Sequence, residues 1–204
     1  MPVPNQFYYG PTRLDLPAAG GLLLVRHAER PPILTLAAAY VTDLNEAGRT
    51  SARAFGAQLG QKRTIGDVFA SPISRCLHTA EEIVCGAFDG AHARPSVVPL
   101  QALHFDQRLS GIPDLASVYL NDPGFIELAA EPHSPRYAFL KNNLLSSLPI
   151  PTEPGVVNLA CTHDVIVTFL LASLLGLSSA SLDDFPGYLE GIFLVRQSNT
   201  VQLG

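Results

Sequence analysis

Three short apolar runs constrain this chain more than any other feature, because each ends abruptly in charged or hydroxyl-bearing side chains. GLLLV (21–25) leads into Arg26 and His27, DVFA (67–70) into Ser71 and Pro72, and GVVNLAC (155–161) into Thr162, His163 and Asp164. Such runs, bounded by glycine or polar residues, read as strands covered on both faces. Helical spacing follows each of them. It predicts helices over 44–60, ending at Gly60; over 71–84, with Ser71 as N-cap and Pro72 at the first helical position; and over 165–176, ending at Gly176. PSVVPL (95–100) and EGIFLVRQ (190–197) supply further strand candidates. This alternation predicts an α/β fold: a three-layer α/β/α sandwich around a mostly parallel central sheet.

At 204 residues and 47% apolar, the chain fits a single domain over 1–204 with a full core. Residues 101–154 break the alternation with Pro113, Pro123, Pro132, Pro135, Pro149, Pro151 and Pro154. They read as a small helical and loop cap inserted over one edge of the sheet. A net charge of −5 argues against a nucleic-acid surface, so any anion must be held by local arginines against the overall field. No apolar run approaches the length of a membrane span, and the amino terminus lacks a basic segment followed by an apolar one. Cys76, Cys85 and Cys161 are odd in number and lack metal-ligand spacing, which reads as reduced thiols. A soluble, cytoplasmic protein without membrane or nucleic-acid partners is the expectation; its oligomeric state is not legible.

Ligands of open α/β sheets bind beyond the carboxyl ends of the strands. If the three runs are parallel neighbours, Arg26, His27, Arg30, Arg75, His163 and Asp164 converge with two helix amino termini on one small volume. That combination suits a phosphoryl group. Taken singly, each residue has an ordinary reading: a chain emerging into solvent, a solvated helix arginine, a first-turn carboxylate favouring the helix dipole, a packed histidine. The joint spacing weighs against coincidence, since R-H-x-x-R-x-P alone is expected in roughly one chain per thousand of this length.

The segments LLLVRHAERPP, FASPISRCLHTAEEI and ACTHDVIVTFLLASLLGL resemble the signature segments of the histidine phosphatase superfamily, the phosphoglycerate mutase-like or histidine acid phosphatase group. Ala28 stands where glycine is common. Arg30 with Pro32, and Asp164 after His163, are similar to the acid phosphatase branch; the S-P-x-x-R-x-x-x-T-A segment and small size are closer to the mutase and phosphohistidine phosphatase branch. The resemblance implies a phosphoglycerate mutase-like fold and hydrolysis of a phosphomonoester, or of phosphohistidine, through a phosphohistidine at His27. Its substrate would be a phosphorylated small molecule or a phosphoprotein. Arg26, Arg30 and Arg75 would clamp the phosphoryl oxygens, with His163 completing the pocket in its charged form and no metal or other cofactor required. His27 would be fixed in one tautomer by a hydrogen bond from its other ring nitrogen to a backbone carbonyl.

Asp164 is the first candidate for the acid that protonates the leaving oxygen, and Asp106 the second; His104 and Arg108 are candidate substrate contacts, and Tyr119, Arg136, Tyr137 and Lys141 could line the pocket wall. Two alternatives stay open: a non-catalytic phosphate-recognising module on the same fold, and a phosphomutase. The mutase is disfavoured because R-H-G-E-S-x-W-N is absent after the first strand. A dinucleotide site is disfavoured too, since no G-x-G-x-x-G follows that strand.

Overall fold

The computed structural model describes residues 7–104, 135–176, 185–198 and 200–204. Strands β1 (Gly21–Arg26), β2 (Thr64–Ala70), β3 (Val97–Pro99), β4 (Val156–Thr162), β5 (Gly191–Gln197) and β6 (Thr200–Leu203) form one sheet in the order β3-β2-β4-β1-β5-β6. β3, β2, β4 and β1 run parallel, while β5 pairs antiparallel with β1 and β6 antiparallel with β5. The mostly parallel α/β sheet expected from the sequence is therefore present, closed on one side by an antiparallel pair. β6 lies beyond the runs read as strands because its alternation covers only four residues.

The helices are α1 (Leu36–Val41), α2 (Glu46–Lys62), α3 (Ser74–Ala87), α4 (Pro135–Ser147) and α5 (Asp164–Leu175). Residue parity along β1 sorts them into layers. Leu23 and Val25 enter a core with Ala52, Phe55 and Leu59 of α2 and Cys76, Ala80 and Ile83 of α3. Leu22 and Leu24 enter the opposite core with Leu144 of α4, Leu148 just beyond it, and Ile166, Val167 and Leu170 of α5. All four β1 side chains are inaccessible to solvent, which explains why the strand reads as an unbroken apolar run. At about 25 cal/mol per Å² of apolar surface, a fully buried leucine or valine contributes roughly 1.5–3 kcal/mol, so the β1 run is a main source of stability.

Within the stretch 101–154 expected to form a cap, Leu144 of α4 and Leu148 and Ile150 beyond it belong to the second core. Residues 105–134 lie outside the described residues.

Two local expectations shift. Gly60 does not end a helix: α2 continues to Lys62, and a Cβ at Gly60 would lie 2.9 Å from the Ala87 carbonyl oxygen, so the glycine serves contact with α3. The crossing is tighter at Gly86, where a Cβ would come within 1.9 Å of the Arg53 carbonyl oxygen. Nor does Ser71 cap α3, which starts at Ser74 after Ile73 and has no side-chain cap. The Ser71 side chain is used elsewhere. By contrast, α5 does end at Gly176, which takes the left-handed φ of 66° that favours glycine.

Candidate active site

Strand register brings the three polar strand ends level. Arg26 pairs with Thr162 and Ala70 with Cys161, and each ladder runs one bond further, from His27 N–H to the Thr162 carbonyl (2.9 Å) and from Ser71 N–H to the Cys161 carbonyl (2.9 Å). His27, Ser71 and His163 thus leave three adjacent strands at one height. The His27 and His163 ring centroids are 5.7 Å apart, edge to face.

His27 is almost wholly buried, and its Nδ1 lies 2.8 Å from the Ala28 carbonyl oxygen. A carbonyl only accepts, so Nδ1 carries the hydrogen and Nε2 keeps its lone pair. Burial, reinforced by the positive charges of Arg75 and Arg26, pushes the His27 pKa down to about 3 and keeps the ring neutral. The backbone around it is held from α3. Ala28 N–H donates to Thr79 Oγ1 at 3.0 Å, and that hydroxyl donates to the Arg75 carbonyl at 2.6 Å.

His163 is placed between Ser71 and Arg75. A guanidinium only donates, so Arg75 donates to Nδ1 at 3.2 Å and Nε2–H donates to Ser71 Oγ at 3.2 Å. His163 is neutral in this geometry; the charged form expected of it belongs to the pocket with phosphate bound. Its Nδ1 is an acceptor here, and desolvation together with the Arg75 and His27 neighbours lowers its pKa, against the opposing influence of Cys76. Cys76 Sγ lies 3.7 and 3.8 Å from the two ring nitrogens. All three cysteines are free thiols.

The arginines surround these rings. Arg26 donates to the Pro186 carbonyl at 2.8 Å, pairs with Asp164 at 3.0 Å and lies over the Tyr188 ring, 4.5 Å from its centroid. Arg75 donates to the Ala39 carbonyl at 2.5 Å, which ties α1 to α3. Arg30 donates to the Pro31 carbonyl, and its charge acts on Arg75. The Nε–H groups of Arg26, Arg30 and Arg75 are all buried and find no acceptor among the described residues. Buried donors are ordinarily satisfied, so three guanidiniums that each keep one uncommitted donor beside two neutral imidazoles suit a multivalent oxyanion.

Residues 22–90 match the family model of the histidine phosphatase superfamily (branch 1), a span that contains Arg26, His27, Arg30, Ser71, Arg75 and Thr79. Over this span, well under half of the chain, the sequence is similar to that superfamily. Solved structures of this fold include mycobacterial glucosyl-3-phosphoglycerate phosphatase with inorganic phosphate, at a TM-score of 0.57 and 19% identity, covering 91% of this chain and 95% of that one. YhfR of Bacillus stearothermophilus aligns at a TM-score of 0.55 and 18% identity, covering 90% of this chain and 95% of that one. SixA of Agrobacterium tumefaciens, titled a putative phosphohistidine phosphatase, aligns at 0.51 and 15%, covering 91% and 95%. At these identities the likeness is one of fold. A comparison with curated proteins finds no match.

Within this fold, Arg26, His27, Arg75, His163 and Asp164 come together, with Arg30 acting on Arg75 from the loop after β1. His104 joins them: its ring centroid is 6.0 Å from that of His163 and 6.2 Å from that of Tyr40. Asp106, Arg108 and Tyr119 lie outside the described residues, as do the side chains of Arg136 and Tyr137; Lys141 is half-buried on α4.

Asp164 is engaged through both carboxylate oxygens. Its Oδ2 accepts from Arg26 and its Oδ1 from the Val165 N–H at 2.8 Å, so both oxygens act as acceptors. Sequence reasoning missed Ser71, Thr79, Tyr40 and Tyr188 as site residues. Thr79 was detectable, four residues after Arg75 on the same helical face, whereas the two tyrosines come from segments without a motif. Among the described residues, no helix is long and apolar enough to cross a membrane.

Proposed function

We propose that this chain is a phosphatase that hydrolyses phosphomonoesters, or phosphohistidine, through a covalent intermediate on His27. The observation that carries this reading is the His27 imidazole itself, held neutral with Nδ1–H on the Ala28 carbonyl and therefore nucleophilic at Nε2. In the first step the Nε2 lone pair forms the N–P bond as the P–O bond of the ester, or the P–N bond of phosphohistidine, breaks, and the leaving group takes up a proton from solvent. In the second, water attacks phosphorus and gives up a proton to solvent, the N–P bond returns its electrons to Nε2, and inorganic phosphate departs.

Arg26, Arg30 and Arg75 supply the positive charge that the equatorial oxygens need in a loose transition state, the work done by magnesium in many phosphoryl-transfer sites. His163 gains a role once phosphate is bound. A nearby dianion favours its protonated form, so it can donate to a phosphoryl oxygen from Nδ1 or Nε2. Asp164 is assigned to holding Arg26 in place through the 3.0 Å ion pair.

The experiment is rapid-quench labelling with a phosphorylated substrate. An acid-labile, base-stable label on His27 that disappears in His27→Asn is expected. A label on serine, aspartate or cysteine refutes the assignment. Phosphate binding without any label or turnover would identify a phosphate-recognising module instead.

A further inference from the structure

Five aromatic rings form a continuous arc through the site. Tyr40, His104, His163, His27 and Tyr188 follow one another at centroid separations of 6.2, 6.0, 5.7 and 5.9 Å. The arc is buried at its centre, where His27 is 2% exposed, and open at both ends, where Tyr40 is 44% and Tyr188 36% exposed. Tyr188 is steadied from behind by Arg26, and Tyr40 stands on α1, which the Arg75 bond to the Ala39 carbonyl fixes to α3. Both tyrosines are thus held in place at the open ends of a row of rings that passes through the two site histidines.

We infer that Tyr40 and Tyr188 are specificity-determining residues that bind the leaving group, and that the substrate class is the aryl phosphomonoester, a phosphate on a phenolic oxygen. This rests on the phosphatase reading for its chemistry and deepens it. Aromatic pairs favour offset or edge-on contact at centroid distances of about 4.5–7 Å, the range in which a ring continuing this arc would sit. The state of Asp164 argues the same way. The carboxylate beside His27 is bonded to Arg26 and to the Val165 N–H, and a phenoxide departs with far less need of a proton than an alkoxide does.

The test separates ring recognition from turnover. Binding of 2-naphthylmethylphosphonate, which cannot be hydrolysed, is followed by its own fluorescence, read directly because the chain has no tryptophan. Methylphosphonate, which carries the same anion without a ring, is measured by competition. Each ring contact is expected to contribute roughly 2- to 10-fold in affinity. Tyr40→Ser should therefore raise the Kd of the naphthyl ligand by that factor and leave methylphosphonate unchanged, with Tyr40→Phe restoring wild-type affinity. Tyr188→Leu should also weaken the naphthyl ligand more than methylphosphonate, although it loosens Arg26 as well.

Equal losses for both ligands in Tyr40→Ser, or no loss in either tyrosine variant, overturns the inference. Hydrolysis of 2-naphthyl phosphate and acetyl phosphate by the wild type is scored separately. Ring-dependent binding with no turnover of either compound removes the phosphatase reading and leaves the aromatic subsite standing. Turnover of both with no tyrosine dependence does the reverse.

Discussion

Replacing Asp164 by asparagine separates two roles that one carboxylate could fill. The Arg26–Asp164 pair is 3.0 Å long, with side chains only 16% and 11% exposed, so the attraction is poorly screened. Asparagine keeps an acceptor for the Val165 N–H and can offer a neutral amide oxygen to Arg26. The loss is therefore the difference between a charged and a neutral hydrogen bond, about 1–2 kcal/mol, plus about 0.3–1 kcal/mol for the first-turn charge of α5. A total of about 1–3 kcal/mol lowers the Tm by roughly 2–12 °C for a chain of this size.

Catalytically, a loosened Arg26 acts on the phosphoryl group, which all substrates share. The expected outcome is a fall in kcat/KM of roughly 10- to 100-fold, equivalent to about 1.4–2.7 kcal/mol, alike for p-nitrophenyl phosphate and an alkyl phosphate. A general acid behaves otherwise, because its proton matters only when the departing oxygen is strongly basic. Its removal would slow the alkyl ester by roughly 100- to 10,000-fold and spare the nitrophenyl ester. Steady-state kinetics on both esters, with thermal unfolding of the same samples, decides the matter. A selective loss on the alkyl phosphate would refute the positioning role and make Asp164 the proton donor, as its place after His163 suggests.

Burial of neutral His27 links stability to pH. With a folded pKa of about 3 against about 6.5 unfolded, the unfolded chain binds the extra proton. This contribution is complete above pH 6.5 and is lost as pH falls toward 3, at up to about 1.4 kcal/mol per pH unit. Urea midpoints measured from pH 7 to 4 should fall less steeply in His27→Asn; an unchanged slope would contradict the burial argument. Gly86→Ala should lower the Tm, since its Cβ would meet the Arg53 carbonyl at 1.9 Å and overpacking costs about 1–3 kcal/mol, whereas propensity alone would stabilise a helix by about 1 kcal/mol. Activity on an aryl phosphate should survive excess chelator, because arginines supply the charge; loss on chelation with recovery on adding magnesium or zinc would contradict that assignment.

The sequence by itself determined the layers and the location of the site. A strand buried on both faces must be apolar at every position, so β1 stands out, with the shorter apolar stretches that end β2 and β4, and a parallel sheet sends its polar strand ends to one edge. Arg26, His27, Arg75 and His163 were legible for that reason, and so was Gly176, whose left-handed φ leaves a mark in residue type. Tertiary structure decided what those side chains do to one another.

Ser71 reads as an N-cap from local spacing, yet its hydroxyl accepts from His163, 92 residues away in the chain, a contact that only the β2–β4 register creates. The neutral state of His163 follows from burial and from the Arg75 donor on its Nδ1, neither of which its own segment records. Gly60 reads as a stop signal because glycine ends helices, while here it allows α2 to lie against α3. Tyr40 and Tyr188 carry no motif; they meet the histidines because α1 is tied to Arg75 and Tyr188 lies under Arg26. Periodicity and end signals are local and survive in one dimension. Protonation state, counter-charge and ring contacts are set by neighbours that are distant in sequence, and these exist only once the sheet has assembled.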